Sequence, residues 1–467
     1  MSRLYGPAIG TSIKPAFDGG ITRKGLPTGA LLVVLAMHFP AALLMQRLPM
    51  VSTIHAVATL ALGLYLAFTR NFRGVGVVAG YIVGSEVLWR MTGAGVFWEF
   101  AKYAIILVLG VGWLRGKQCR SVLLPVVFFL LLIPSAVVTI MELGFSETAR
   151  EYIGFNLSGP LSLAVSVMFF SQRSFRSVDI KQIAWGVVVP LVGVAGLAVN
   201  GILTTEEIVF TDESNFVTSG GFGPNQVSAV LGLAALFLFL IALSERRNFV
   251  QFFCALLAVF FIVFSVLTFS RGGIYNFGIA VLLSTVHFLR SSRSRGILLL
   301  IIIGGGLVGG YWIYPRLDEF TNGKLTSRYA NFDTTNRLEI AQREIEAGLS
   351  YPLFGSGPGM AKFFVYEKTG VLAAAHTEYS RVLGEHGVLG LFALAILGLM
   401  ALSTYRRTPH WMARTWVIAL LAWPLMEMTH AAMRLAAIGF LFGLAFVGWK
   451  TQRSAPHVLP SENTARR

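Results

Sequence analysis

Charged residues are scarce in this sequence: 13% of its 467 residues are Asp, Glu, Lys or Arg. A soluble domain carries about a quarter, so a large soluble enzyme is excluded. Cysteine is scarcer still. Cys119 falls in a basic loop and Cys254 inside an apolar run, which supports neither a disulfide framework nor a thiolate metal site. HExxH, clustered-aspartate, GxSxG and nucleotide-binding patterns are missing too. The chain therefore offers no obvious way to use a divalent metal, ATP or a nucleotide sugar. It shows no internal repeat. The stretch before residue 29 is polar, with Lys14, Arg23 and Lys24, and carries no visible cleavable signal, so the first apolar run reads as the anchor.

Apolar sequence is abundant. Hydrophobic residues make up 55% of the chain and the mean hydropathy is +0.68. About 20 apolar residues cross a bilayer as a helix. On that measure the candidate spans are roughly 30–46, 51–69, 75–91, 97–114, 121–141, 154–171, 183–203, 226–243, 249–269, 273–289, 296–314, 383–403, 412–426 and 434–449. The expected fold is an all-α polytopic membrane protein with about 12–14 transmembrane helices, the lower count applying if two are re-entrant.

Net charge is +15. In a soluble chain that excess would suggest nucleic acid. Here topology accounts for it, and no nucleic-acid partner is expected. Alternate connections hold most of the Lys and Arg, among them Arg70, Arg73, Arg115, Lys117, Arg173, Arg176, Arg290, Arg293, Arg406 and Arg407. Those connections hold few acids: Asp18, Asp179, Glu245 and Glu462. The positive-inside bias puts both termini in the cytoplasm. The opposite face then owns the segments 204–225 and 315–382, and the second is too long for an idle connection. Within it Asp333, Thr334, Thr335 and Asn336 are N-cap candidates. Leu338, Ala341, Ile345 and Leu349 recur behind them at helical spacing, with Glu339 and Arg343 as an i,i+4 pair. A short amphipathic helix on the outer membrane surface, or capping the bundle, fits.

Three outward-facing groups could carry chemistry. Ser270-Arg271-Gly272-Gly273 has no acid within ten residues, so Arg271 either grips a phosphate by forked hydrogen bonds or snorkels at a tight turn. Arg337 starts the amphipathic helix, where a cation is unfavourable unless an anion sits nearby; otherwise it is a surface arginine. His376-Thr377-Glu378-Tyr379-Ser380-Arg381 precedes span twelve, followed by Gly384-Glu385-His386-Gly387 and Gly390. On a helix His376 would share a face with Ser380, and Arg381 would reach Glu385. An imidazole there can take a proton from a sugar hydroxyl or bond a phosphate, or be structural. Two further segments are turns: Pro352-Leu353-Phe354-Gly355-Ser356-Gly357-Pro358-Gly359, and Gly220-Gly221-Phe222-Gly223-Pro224-Asn225, where Asn225 is a candidate helix cap. Arg47, Arg90, Arg150 and Arg434 also face outward, with Glu86 and Arg90 at ion-pair spacing.

Between Phe222 and Gly390 the sequence resembles the O-antigen ligase and Wzy-type polymerase superfamily of bacterial envelope glycosyltransferases. The resemblance rests on four features in order. They are the Asn-bearing entry Phe222–Asn225, the Ser270-Arg271-Gly272 turn, Arg337 ahead of the Pro352–Gly359 turn, and His376-Thr377 followed by Gly387-Val388-Leu389-Gly390. The family more often has Asn, Ser or Gln where Thr377 stands. The resemblance implies metal-independent, cofactor-free transfer of a glycan from a polyprenyl-diphosphate carrier. The acceptor would be lipid A-core in a ligase, or another lipid-linked glycan in a polymerase. Arg271 and Arg337 would hold the diphosphate and His376 would orient or deprotonate the acceptor. Arg381, Tyr379, Asn225 and Gly357 would support substrate binding. Polysaccharide-assembly proteins are possible partners beside the bilayer itself. The expected division is a cytoplasmic segment 1–29, membrane helices 30–314, a periplasmic loop 315–382, membrane helices 383–449 and a cytoplasmic tail 450–467 in the bacterial inner membrane. Two other classes stay in view. A transporter or flippase of lipid-linked glycan would place charges at mid-membrane, and a non-catalytic assembly subunit would leave the outward arginines paired or dispersed.

Overall fold

The computed structural model describes residues 28–245, 247–288, 295–296, 303–331 and 337–450. The first helices are α1 (Thr28–Arg47), α2 (Pro49–Phe68), α3 (Phe72–Met91), α4 (Phe100–Arg115), α5 (Leu123–Leu130) and α6 (Ala136–Leu143). Then come α7 (Glu147–Ser171), α8 (Ser177–Thr204), α9 (Pro224–Ser244), α10 (Asn248–Leu267) and α11 (Gly272–Phe288). The remainder are α12 (Tyr314–Phe320), α13 (Lys324–Ala330), α14 (Arg337–Ser350), α15 (Ala361–Thr369), α16 (Glu378–Arg407), α17 (Trp411–Glu427) and α18 (Ala436–Leu444). A π-helical turn at Val308–Ile313 precedes α12. The protein is an all-helical, polytopic membrane protein, and among the described residues seven helices are individually long and apolar enough to cross a bilayer.

Helix α9 is the hub. It is apolar all round and nearly every residue from Val227 to Leu243 is buried, as expected of a helix surrounded by others. α10 and α11 pack along it, and α17 packs on α11. α3 and α8 pair closely because small residues face backbone across the seam. A Cβ on Gly84 would lie 2.2 Å from the Val187 carbonyl oxygen, and one on Gly186 would lie 2.5 Å from that of Val77. α7 packs on α18, and the chain end of α18 is tied to the end of α7 by two-residue parallel strands, β1 (Ser174–Phe175) and β2 (Gly448–Trp449).

Two expected spans come out differently. The run 121–141 is not one helix but α5 and α6, broken around Pro134. Proline lacks the N–H that would bond the preceding turn and its ring clashes with that turn's carbonyl. The run 434–449 forms a helix only over Ala436–Leu444, because the strand pairing draws Gly448–Trp449 into an extended form. In the run 296–314, residues 297–302 lie outside the described residues, and from 303 the chain is helical, passing through the π turn at Val308–Ile313 into α12; Asp333, Thr334, Thr335 and Asn336 also lie outside the described residues.

The amphipathic helix exists as α14, with a difference of face. Its buried residues are Ile340, Glu344 and Ala347. Leu338 and Leu349, on the expected apolar stripe, are 62% and 75% exposed. The helix is held on α16 through small-residue contacts, where Gly384 sits under the Glu344 carbonyl and Gly348 under that of Leu383. Backbone proximity thus chose the buried face, and the leucine stripe is left turned outward.

Candidate functional site

The site begins at the turn between α10 and α11. α10 ends at Leu267 and Phe269 takes a left-handed backbone (φ 58°), a position usually given to glycine. Residues held this way persist only where their surroundings over-determine them. Phe269 is fully buried and stacked on Phe210 at 5.3 Å, and its carbonyl accepts from Arg328 Nε at 3.0 Å. The turn is anchored on α9. Ser270 Oγ donates to Asn225 Oδ1 (2.8 Å), and Ser228 Oγ donates to the Ser270 carbonyl (2.8 Å). Gly273 lets α11 close on α9, since a Cβ there would lie 2.0 Å from the Ser228 carbonyl oxygen. So fixed, Arg271 donates to the Asn331 carbonyl. Arg328, on α13, also donates to the Asp212 carbonyl at 2.6 Å.

Arg337 stands at the first turn of α14 and Arg434 just ahead of α18. Arg434 donates to the Ala375 carbonyl at 2.9 Å, which ties it to the segment carrying His376. These cations feel one another. Burial, then the charges of Arg271, Arg328 and Arg434, depress the affinity of Arg337 for its proton. Burial and then Arg271 do the same to Arg328. His376 is lowered to about 4 by burial, then by Arg337 and Arg434. A guanidinium stays charged in a protein, so these shifts describe first the burial of charge and second its repulsion by the neighbouring cations, and a bound anion would oppose both. Arg337 is therefore the link between groups distant in sequence: it feels the charges of Arg271, Arg328 and Arg434, and His376 feels Arg337 and Arg434 in turn.

A second imidazole belongs to the same neighbourhood. His430 lies directly over Gly272, where a Cβ would approach its Cε1 to 2.6 Å. Its Nε2 is 3.0 Å from Asn276 Oδ1, and Asn276 in turn donates to the buried Glu427. Burial and then Arg337 lower His430 to about 4. Sequence reasoning left His430, Asn276 and Arg328 without a role. Arg328 has no motif around it, and Asn276 reads as one polar residue in an apolar run.

The remaining expected site residues are placed as follows. His376 does not share a helical face with Ser380, because α16 starts at Glu378. Thr377 is the N-cap and accepts from the Tyr379 and Ser380 N–H groups at 3.1 and 3.3 Å. Arg381 does reach Glu385 (2.5 Å), and also Glu378 (2.5 Å) and Asn156 (3.0 Å), all largely buried. Tyr379 donates its hydroxyl to the Leu425 carbonyl at 2.9 Å. Asn225 does not cap α9: Gly223 is the N-cap and Pro224 fills the first turn, where its missing N–H costs nothing. Gly357 is buried, with its N–H on the Glu385 carbonyl at 3.0 Å. Around it the Pro352–Gly359 turn lodges in a break of α16. Gly387 there has φ 55° and ψ −135°, which frees the Gly384 and Glu385 carbonyls to accept from Ser356 and Gly357. Glu86 and Arg90 form the expected ion pair at 2.7 Å, and Glu86 also accepts from the Ala436 N–H at 2.8 Å. Arg434 borders a cavity of about 880 Å³ that is also lined by Ala375, Arg381 and Glu385. Among the described residues no group of three or more His, Cys, Asp or Glu is placed to hold a metal ion.

This is the architecture of a multi-pass membrane protein with an arginine-rich mouth. Residues 256–395 match the family model described as O-Antigen ligase, and over that stretch the chain carries an O-antigen ligase (Wzy_C) family domain. The family's chemistry is glycan transfer of the ligase/polymerase type from lipid-linked glycans. The match takes in Arg271, Arg328, Arg337 and His376 and stops short of His430 and Arg434. A search of curated proteins found no match.

Proposed function

We propose that the protein transfers a glycan from a polyprenyl-diphosphate carrier to an acceptor hydroxyl at the extracytoplasmic membrane surface, with both termini in the cytoplasm. The observation that carries this reading is that four arginines from separate segments, Arg271, Arg328, Arg337 and Arg434, feel one another's charge through Arg337, and that Arg337 and Arg434 also act on His376. Arg271 and Arg337 hold the diphosphate, with Arg328 and Arg434 adding to the field. The acceptor oxygen attacks the anomeric carbon, the bond from that carbon to the phosphate oxygen breaks, and its electron pair leaves on the diphosphate. The arginines stabilise that developing charge. The acceptor's proton goes to His376, which is neutral at pH 7. A base lowered to about 4 is weak. Occupation of the cluster by a diphosphate offsets the Arg337 and Arg434 charges, so the donor itself strengthens the base.

The test is replacement of Arg271 by Gln and of His376 by Ala, with membrane insertion confirmed and glycan transfer from a lipid-linked donor measured. Both variants should lose transfer. Wild-type glycan from the His376→Ala protein removes His376 from the mechanism, and wild-type glycan from Arg271→Gln removes the diphosphate assignment.

A further inference from the structure

The cavity beside Arg434 differs in chemistry from the arginine cluster. Its walls come from the α3–α4 connection, the first turns of α7 and the segment that ends at His376. Three aromatic rings on its wall keep open surface: Phe97 is 56% exposed, Trp98 46% and Phe155 37%. Beside them stand Glu99, Glu151 and Asn156. Cations and acids balance in the lining. Arg150, Lys362, Arg381 and Arg434 face Glu99, Glu151, Glu344 and Glu385. Several of these are already engaged. Arg381 pairs with Glu385 (2.5 Å), Arg150 with Glu147 (2.9 Å), and Lys362 lies 3.7 Å over the Tyr152 ring.

A pyranose has an apolar C–H face and a rim of hydroxyl donors. Aromatic faces suit the first and carboxylates and amides suit the second. A volume of about 880 Å³ falls at the upper end of small-ligand sites, about 300–1,000 Å³, so it holds a short oligosaccharide. Three of the four cations are held by Glu385, Glu147 and the Tyr152 ring, so among the described residues a ligand bearing clustered phosphates finds only Arg434, shared with the arginine cluster, without a carboxylate pair there. We propose that this cavity is the acceptor subsite and takes the terminal sugars of an uncharged glycan. The inference rests on the transferase reading above and adds the acceptor's class, because Ala375 and Arg434 border the cavity and place its occupant next to His376. It favours a growing sugar chain over a phosphorylated core oligosaccharide.

The experiment uses the full-length protein in lipid nanodiscs. The neutral probe is the repeat-unit oligosaccharide released by mild acid from the same cells' lipid-linked glycan, carboxyl-reduced if it carries uronic acids. The anionic probe is phosphorylated core oligosaccharide, and inorganic pyrophosphate reports on the arginine cluster. The neutral probe should bind wild type and Arg271→Gln alike. Phe155→Ala and Glu151→Gln should each weaken it about tenfold, equivalent to about 1.4 kcal/mol. Both should bind pyrophosphate as wild type does, which also shows that they are folded. The proposal is overturned if the neutral probe does not bind, if the cavity variants bind it normally, or if phosphorylated core binds more tightly. Normal binding by the cavity variants would mean that the rings face lipid as an interfacial belt. Undiminished pyrophosphate binding by Arg271→Gln would instead count against the transferase reading and leave the sugar result standing.

Discussion

Replacing Arg337 with Gln probes the cluster through two independent readouts. The side chain sits among Arg271, Arg328 and Arg434 and lowers His376. Its loss removes one forked donor for a diphosphate. Removing a single transition-state donor typically costs about 10²–10³ in rate, or ~2.7–4 kcal/mol, so transfer should fall by about that factor. The second readout is His376 itself. A unit charge ~10 Å away at an effective dielectric near ~20 is worth about 1.7 kcal/mol, or about one pKa unit. Burial remains the larger cause and persists in the variant, so the imidazole should rise by about one unit from its value of about 4 without reaching the ordinary histidine range. NMR of ring-labelled histidine, or the pH dependence of carbethoxylation at His376, follows that titration. The acid limb of kcat/KM reports the free enzyme and should move up with it. Unchanged transfer would refute the diphosphate role of Arg337. An unmoved His376 would refute the coupling between the two groups, even if activity were lost.

Glu344 offers a pH test outside the membrane spans. Burial pushes its carboxyl up to about 7, against a smaller opposing effect from the Ser380 hydrogen bond. The folded state therefore holds this proton more tightly than the unfolded chain. The contribution is complete below the ordinary carboxylate range and is lost as pH rises through 7. Thermal unfolding should show stability falling across that window, and Glu344→Gln should flatten the dependence; an identical profile would refute it. Thr377→Ala removes the cap of α16 and should cost about 1 kcal/mol of stability, with Thr377→Ser close to wild type in the same melts. Gly387→Ala meets both a left-handed backbone and the Pro352 carbonyl at 2.5 Å, so it should destabilise by about 1–3 kcal/mol or more and lower the folded yield in membranes. Arg381→Met strands Glu378 and Glu385 in a buried site. It should destabilise by about 3–5 kcal/mol, seen as loss of folded protein before any change in donor binding.

Much of this protein is written locally. The scarcity of charge, the spacing of apolar runs and the alternation of basic connections follow from residue chemistry against a bilayer, and they announce a polytopic helical chain without any long-range contact. Helix α14 could be read from its periodicity, whereas 383–403 reads as one continuous span and the break at Gly387 appears only in the structure. Periodicity did not say which face of α14 would be buried. That depended on how closely the Glu344 and Gly348 backbones could approach α16. Nor could it say that the chain would break around Pro134 into two short helices that both pack on α7, or that Gly357 would serve packing inside the α16 break. The site lay between these cases. Arg271, Arg337 and His376 were visible one at a time: Arg271 as a cation with no acid nearby, Arg337 as a cation at a helix start and His376 as an imidazole in a polar stretch. Their meeting, and the recruitment of Arg328, Arg434 and the His430–Asn276–Glu427 chain, came only from folding. An electrostatic field adds over distance in space and ignores distance along the chain. A sequence can therefore name the charges, and the packing of α9, α11, α14 and α18 sets which of them act together.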